Sequence, residues 1–476
     1  LKSEFVGFLR LEQTRHQLEL VSTNLNKELK EIVDLDKLGL HKTQLGLIKT
    51  VFEVATQELQ THLGEIKPTA VDLEDIYDNC RDFDEAIIWM QRLWDYLKEK
   101  LQQRNEQLNK ELANLLKSAD EVVWSCFHGV LQNALGEHGP APLTYIEPEY
   151  SPATIQTDKP LPVNLMLKGE LDFLDECLQS LPIPVLRLPP NCISSPWWLV
   201  FVAHEVGHHV QYALDLVGYF RVGMSQAATS QGYSTQEAAA SWGNWGEEIF
   251  ADFFSLLMMG DAALRAIAEI EIGAPAKMVR RKPNYPAPVI RLALMKRVAD
   301  RLGLDTQQTL LNFELEQIAA GDQVCKKDFG VIEAAVEFAL AELPGGRGKL
   351  NELCGFDANV FKNGGPISDW AARLNSKGNL QIDRQTALRL ETARHIASAS
   401  LQAWAKHSMG TELGDQEANS LERSSRRETI RARTIEGLLQ SGPRETRFGA
   451  PGDESGEKLG KNLADLLRKR LSNKTQ

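Results

Sequence analysis

Phe201 to Val210 reads FVAHEVGHHV, with His204, Glu205, His208 and His209 inside an otherwise apolar run. A buried carboxylate without a partner costs several kcal/mol, so keeping one among Phe, Val and Ala requires an opposite charge or a metal. On a helix, His204 and His208 lie one turn apart on one face, and their imidazole nitrogens converge on a single ion. Glu205 projects beside them, where a carboxylate can take a proton from an activated water. This is the HExxH pattern. His209 falls one residue off the ligand face and reads as structural, or as part of the rim.

Zinc needs a third protein ligand and an open position. The stretch NWGEEIFADFFSLLMMG supplies the candidate, because Glu248 and Asp252 are spaced i, i+4 on one helix face. Phe250, Phe253, Phe254 and Leu257 fill the other sides, and no Lys or Arg is near in sequence. The expected set is one zinc per chain on His204, His208 and Glu248, with Asp252 behind a ligand histidine and Glu205 as the catalytic base. Glu247 competes for the third place, but its i+4 neighbour is Ala251, so it reads as solvated.

A second donor for a developing oxyanion is sought in RRKPNYPAPVIRLALM, where Tyr285 has a phenol O–H and Arg291 a guanidinium fork. The alternative is that Tyr285 caps a turn and Arg291 pairs with an acid on a neighbouring helix. Two elements must carry the histidines and the acids. Ser195–Pro196 reads as a cap and first turn of a helix running through WWLVFVAHEVGHHVQYALDL, and Asn244 reads as the cap of the acid-bearing helix. Ile183 to Pro189, IPVLRLP, reads as a short strand whose prolines suggest a sheet edge, suited to pairing with an extended peptide.

HExxH followed by a separate ExxxD helix resembles the gluzincin metallopeptidases, of which thermolysin-like enzymes are the familiar case. The resemblance implies a zincin-like domain with His204, His208 and Glu248 as ligands, Glu205 as base and Asp252 bonded to a ligand histidine. Tyr285, Pro286, Pro288 and Arg291 are similar to a segment of the CAAX-prenyl-endopeptidase-like group, with Tyr285 standing where that group has His. ADFFSLLMMG is similar to the ImmA-type metallopeptidases. The likeness covers roughly residues 183–300.

Around this stretch the chain reads as mainly α (α+β). Residues 1–138 are rich in Glu, Lys, Gln and Leu, with a stripe through Leu93, Leu97, Leu101, Leu108, Leu112 and Leu115, and Arg104 in its seam. They predict a helical bundle or hairpin that serves as a scaffold or self-association arm, or binds a partner. Residues 139–409 would hold the metallopeptidase domain with a small sheet, entered through the Pro-rich stretch 136–164. Residues 410–476 read as a polar, mobile tail with one or two marginal helices, sensitive to proteolysis between about Ser420 and Asp453.

A formal charge of −12 over 476 residues argues against nucleic acid or an anionic membrane as the main partner. No run of about 18 apolar residues predicts a membrane span, and the first twenty residues lack a signal-like apolar block. Six scattered cysteines without a CxxC pair predict reduced thiols and a cytoplasmic protein. No phosphate-binding GxxxxGK[ST] loop or GxSxG elbow is present. The expected function is a zinc endopeptidase acting on a protein or peptide. Its rival is a catalytically idle zinc-binding scaffold that works through the helical arm.

Overall fold

The computed structural model describes residues 2–35, 42–67, 72–136, 141–147, 153–155, 185–306, 314–376, 378–408, 418–442 and 453–472. They are mainly helical, with one small sheet. Three long helices open the chain: α1 (Lys2–Leu35), α2 (Lys42–Glu65) and α3 (Leu73–Gln102). Their apolar stripes meet in one core containing Leu18, Phe52, Leu59, Trp94 and Leu97. Asp84, on α3, ties to Arg10 and accepts from Thr14 at 3.1 Å, and Lys98 reaches Glu28 on α1 at 2.7 Å.

The leucine stripe does not run on as one helix. The turn 103–109 interrupts it, and Leu108 is 72% exposed. Asn109 then caps α4 (Lys110–Leu135), accepting from the Leu112 N–H at 3.0 Å. From Leu115 onward α4 belongs to the second and larger core. Along the helices the change from one core to the other falls between α3 and α4, while Leu143, Tyr145 and Val185 pack with the bundle. Arg104, read as a seam defect, pairs with Asp120 at 2.9 Å and donates to Thr144 at 3.1 Å.

The Pro-rich stretch read as the entry to the second domain contributes two of the three strands. These are β1 (Leu143–Ile146) and β2 (Ala153–Ile155), with β3 (Val185–Leu188) between them in the order β1-β3-β2. β1 pairs parallel with β3 (Leu143 opposite Val185), and β2 pairs antiparallel (Ala153 opposite Arg187). β3 is therefore central and fully buried, which corrects its reading as an edge and removes it as a strand for substrate to pair with. Pro189 follows the ladder directly, where the lack of an N–H costs little.

The site elements follow: α5 (Val202–Ala213), α6 (Val217–Ser230), α7 (Gly246–Met259), α8 (Asp261–Glu271), α9 (Pro288–Arg301) and α10 (Gln323–Phe329). Helices α11 (Pro366–Asn375) and α12 (Thr392–Ser408) close the larger core.

The C-terminal region departs most from expectation. It does hold two helices, α13 (Ala418–Gln440) and α14 (Asp453–Ser472), but both are docked. Helix α13 lies on α4, α11 and α12 and buries Ile430, Arg433 and Leu438. Helix α14 lies along α2 and α3 and buries Leu463, Ala464 and Leu467 in the N-terminal bundle. Residues 410–417, 443–452 and 473–476 of the expected tail lie outside the described residues. No helix among the described residues is long and apolar enough to cross a membrane.

Candidate metal centre

The histidine-bearing helix starts differently from its sequence signal. Ser195 makes no side-chain cap, Pro196–Phe201 is a 3-10 turn, and α-helical geometry runs only from Val202 to Ala213. The acid-bearing helix likewise starts at Gly246, after a π-turn at Ala239–Gly243. Asn244 donates back to the Ala240 carbonyl at 3.2 Å instead of capping forward. Every residue of α7 is buried except Glu247. Its apolar residues drive that burial, at roughly 1.5–3 kcal/mol for each large side chain, and carry the acids inward with them.

Helices α5 and α7 touch at a glycine. A Cβ on Gly207 would lie 3.0 Å from the Ala251 Cα and 3.2 Å from the Phe254 Cβ. Glycine inside a helix costs about 1 kcal/mol relative to alanine, and here it permits backbone approach. That contact brings two faces together, His204 and His208 from α5, Glu248 and Asp252 from α7.

The resulting spacing bears on a metal. His204 Nε2 lies 3.3 Å and His208 Nε2 3.6 Å from the same Glu248 oxygen, Oε2. Tetrahedral zinc bonds of about 2.0–2.1 Å place neighbouring ligand atoms about 3.3 Å apart. Both distances are longer than a good N–H···O bond, and Glu248 Oε2 and His208 Nδ1 are buried without a hydrogen-bond partner. His204, His208 and Glu248 thus form a group that could hold a metal ion, and their donors fit zinc. The cluster is not sealed by the described residues, since its side chains keep 8, 8 and 12% exposure.

Behind this group runs a buried chain of charges. His204 Nδ1 lies 2.9 Å from Asp252 Oδ1, a close charged contact that lacks the geometry of a hydrogen bond. Arg291 grips Asp252 bidentately, Nε on Oδ2 and Nη2 on Oδ1, both at 2.8 Å, and its Nη1 donates to Glu271 at 2.9 Å. Burial opposes the charged forms of His204, Glu248, Asp252 and Arg291, yet their partners prevail. Arg291 and His204 hold Asp252 below its usual range, and the imidazoles of His208 and His204 hold Glu248 well below. His204 is pushed up to about 10 against its burial, by Asp252 and Glu248. Four carboxyl groups, those of Glu205, Glu248, Asp252 and Glu271, are buried with one guanidinium around the two histidines, and a divalent cation on the ligand group would add compensating positive charge.

The candidate oxyanion donors separate here. Arg291 is fully engaged by Asp252 and Glu271, so it holds the acid behind His204, which was the alternative in sequence. Tyr285 is half-buried and faces the centre. After burial itself, the carboxylates of Glu248 and Glu205 are the main causes that raise its phenol pKa. Its ring lies beneath Arg291, whose Cζ is 5.4 Å from the centroid.

Glu205 is buried beside the histidines. His209 is buried and stands apart from the ligand group. It bonds the backbone of Val185 and thereby ties α5 to β3, while burial and the nearby His208 lower its pKa to about 3. Glu247 is not simply solvated; it is half-buried and meets Arg221 at 3.4 Å. Two residues that shape this cluster escaped the sequence reading. Gly207 had a signal, an isolated glycine in a strong helix pattern. Glu271 had none, because only the fold brings it to Arg291. Compared with known proteins, the chain matches no protein family, no curated protein and no solved structure.

Proposed function

We propose that the chain is a zinc-dependent endopeptidase of gluzincin type. The observation that carries this reading is the convergence of the His204 and His208 Nε2 atoms on one Glu248 oxygen at tetrahedral-ligand spacing, with Glu205 alongside. Zinc held there supplies Lewis acidity, polarising a peptide carbonyl and lowering the pKa of a water toward about 7. Glu205 accepts the proton of the attacking water and delivers it to the leaving amine. Tyr285 donates its phenol hydrogen to the oxygen on which charge develops. Asp252 fixes the His204 ring through Nδ1, and Arg291 holds Asp252 in place.

The substrate on this reading is a protein or peptide in extended form. Strand β2 pairs only with β3 among the described residues and lies against α5, so its outer edge is the place for a peptide to add. A cytoplasmic setting goes with this reading, because Cys80, Cys126, Cys192, Cys325 and Cys354 are free and buried. The test is bound zinc and hydrolysis of a peptide library by the wild type and by Glu205→Gln. Bound zinc in both, with cleavage only in the wild type, is expected. Zinc in both with cleavage in neither would replace this reading with the idle scaffold.

A further inference from the structure

We infer that Lys282 is a specificity residue that selects substrates carrying a carboxylate near the scissile bond; this rests on the zinc-peptidase reading and names its substrate class. The inference starts from the strap that holds Tyr285 over the centre. Arg281 is clamped by the fully buried Asp328, with Nε on Oδ2 at 2.8 Å, and donates to the Tyr233 hydroxyl at 3.1 Å. Its guanidinium also lies over the Trp245 ring at 4.9 Å. The indole N–H of Trp245, the residue that caps α7, donates to the Lys282 carbonyl at 3.3 Å. Lys282 and Tyr285 then close a tight turn with reciprocal backbone bonds of 3.2 and 3.4 Å. The Lys282 backbone is thus fixed to the start of the helix that presents Glu248.

From this anchor the Lys282 ammonium lies 5.5 Å from the centroid of the Tyr285 ring, the same ring whose phenol faces Glu248 and Glu205. Two cations border that ring, and they differ in what they can do. Arg291 is buried and spent on Asp252 and Glu271. Lys282 is exposed, and its ammonium meets no carboxylate among the described residues. Arg280, two residues before it, is also exposed and has no carboxylate partner among the described residues. Arg281 is neutralised by Asp328, so the strap offers two cations unpaired among the described residues, Arg280 and Lys282, in a chain of net charge −12. A solvent-facing ammonium on this fixed backbone favours an anionic group, and on a peptide that group is an acidic side chain or a free C-terminal carboxylate.

Three peptide hydroxamates serve as probes against the zinc-loaded full-length protein. One carries a Glu side chain and an amidated C terminus, one Gln with a free C-terminal carboxylate, and one Gln with an amidated C terminus. Affinity is measured by calorimetry on the wild type, Lys282→Met and Lys282→Glu, with melting temperature as the fold control. One of the two carboxylate probes should bind the wild type about tenfold more tightly than the neutral probe, and which one identifies the source. The preference should weaken with salt, vanish in Lys282→Met and reverse in Lys282→Glu, while the neutral probe keeps its affinity. No charge preference in the wild type, or one that persists in Lys282→Met, overturns the role of Lys282 and leaves the zinc reading standing. Failure of all three probes to bind zinc-loaded protein overturns both.

Discussion

At the residue scale, the ligand set makes separable predictions. His204→Ala, His208→Ala and Glu248→Ala should each lose zinc, whereas Glu205→Gln should keep it, as read by metal content after dialysis. Full occupancy in Glu248→Ala would strike it from the set. Asp252→Asn removes a charge that both Arg291 and His204 need. It should weaken zinc by about 10–100-fold, and a competition titration with a chelator measures this. Tyr285→Phe should lower kcat by roughly 10²-fold with zinc content intact. Much of this centre was legible because its residues sit at helical spacing within two segments. The partner of Arg291 was not, since Glu271 and Asp252 come from different helices and no spacing rule links them.

At the element scale, the approach of α5 to α7 carries the site. Gly207→Ala adds a Cβ at 3.0 Å from the Ala251 backbone, so the helices must part although alanine is the better helix former. Zinc affinity should fall at least tenfold with helix content unchanged by circular dichroism. Retained affinity would mean that the helices absorb the methyl group. Helix α12 gives a pH prediction. Burial, aided by Arg394, lowers the His395 pKa to about 3. The unfolded chain, with a histidine pKa near 6.5, therefore holds more protons between about pH 3 and 6.5, and this group's contribution to stability falls as pH drops through that window. His395→Leu should flatten the fall in melting temperature from pH 7 to 4; parallel curves would exclude His395 as a source. Helix starts were less legible than helix existence. The 3-10 turn before α5 and the π-turn before α7 arise from packing around Trp197 and Trp242, which overrides the Ser195 and Asn244 signals.

At the scale of the whole molecule, two cores divide the labour. The bundle of α1, α2, α3 and α14, joined by Leu143, Tyr145 and Val185 of the sheet, has its own apolar core, and the helices of the centre belong to the other. Leu463→Ala should cost about 2–5 kcal/mol in the bundle, visible as a lower first unfolding transition, while zinc affinity stays at the wild-type value. A parallel loss of zinc would show that the cores are coupled. This makes α14 part of the fold, although its polar, charge-dense sequence reads as tail. An amphipathic helix buries only one stripe, and composition averages that stripe away.

What the sequence alone determined is local and periodic: mainly helical structure, the HExxH face, the acid pair one turn apart, and the absence of a membrane-length apolar run. These depend on contacts within a few residues along one helix, so spacing encodes them. Only the tertiary structure decided that β3 is central, that Arg291 supports Asp252 instead of pointing at substrate, and that the C-terminal helix completes the N-terminal bundle. Each of these is a pairing across tens to hundreds of residues, from Glu271 to Arg291 or from α2 to α14. Such pairings are fixed by which apolar faces and buried charges can be satisfied together, and no local pattern in the chain records that choice.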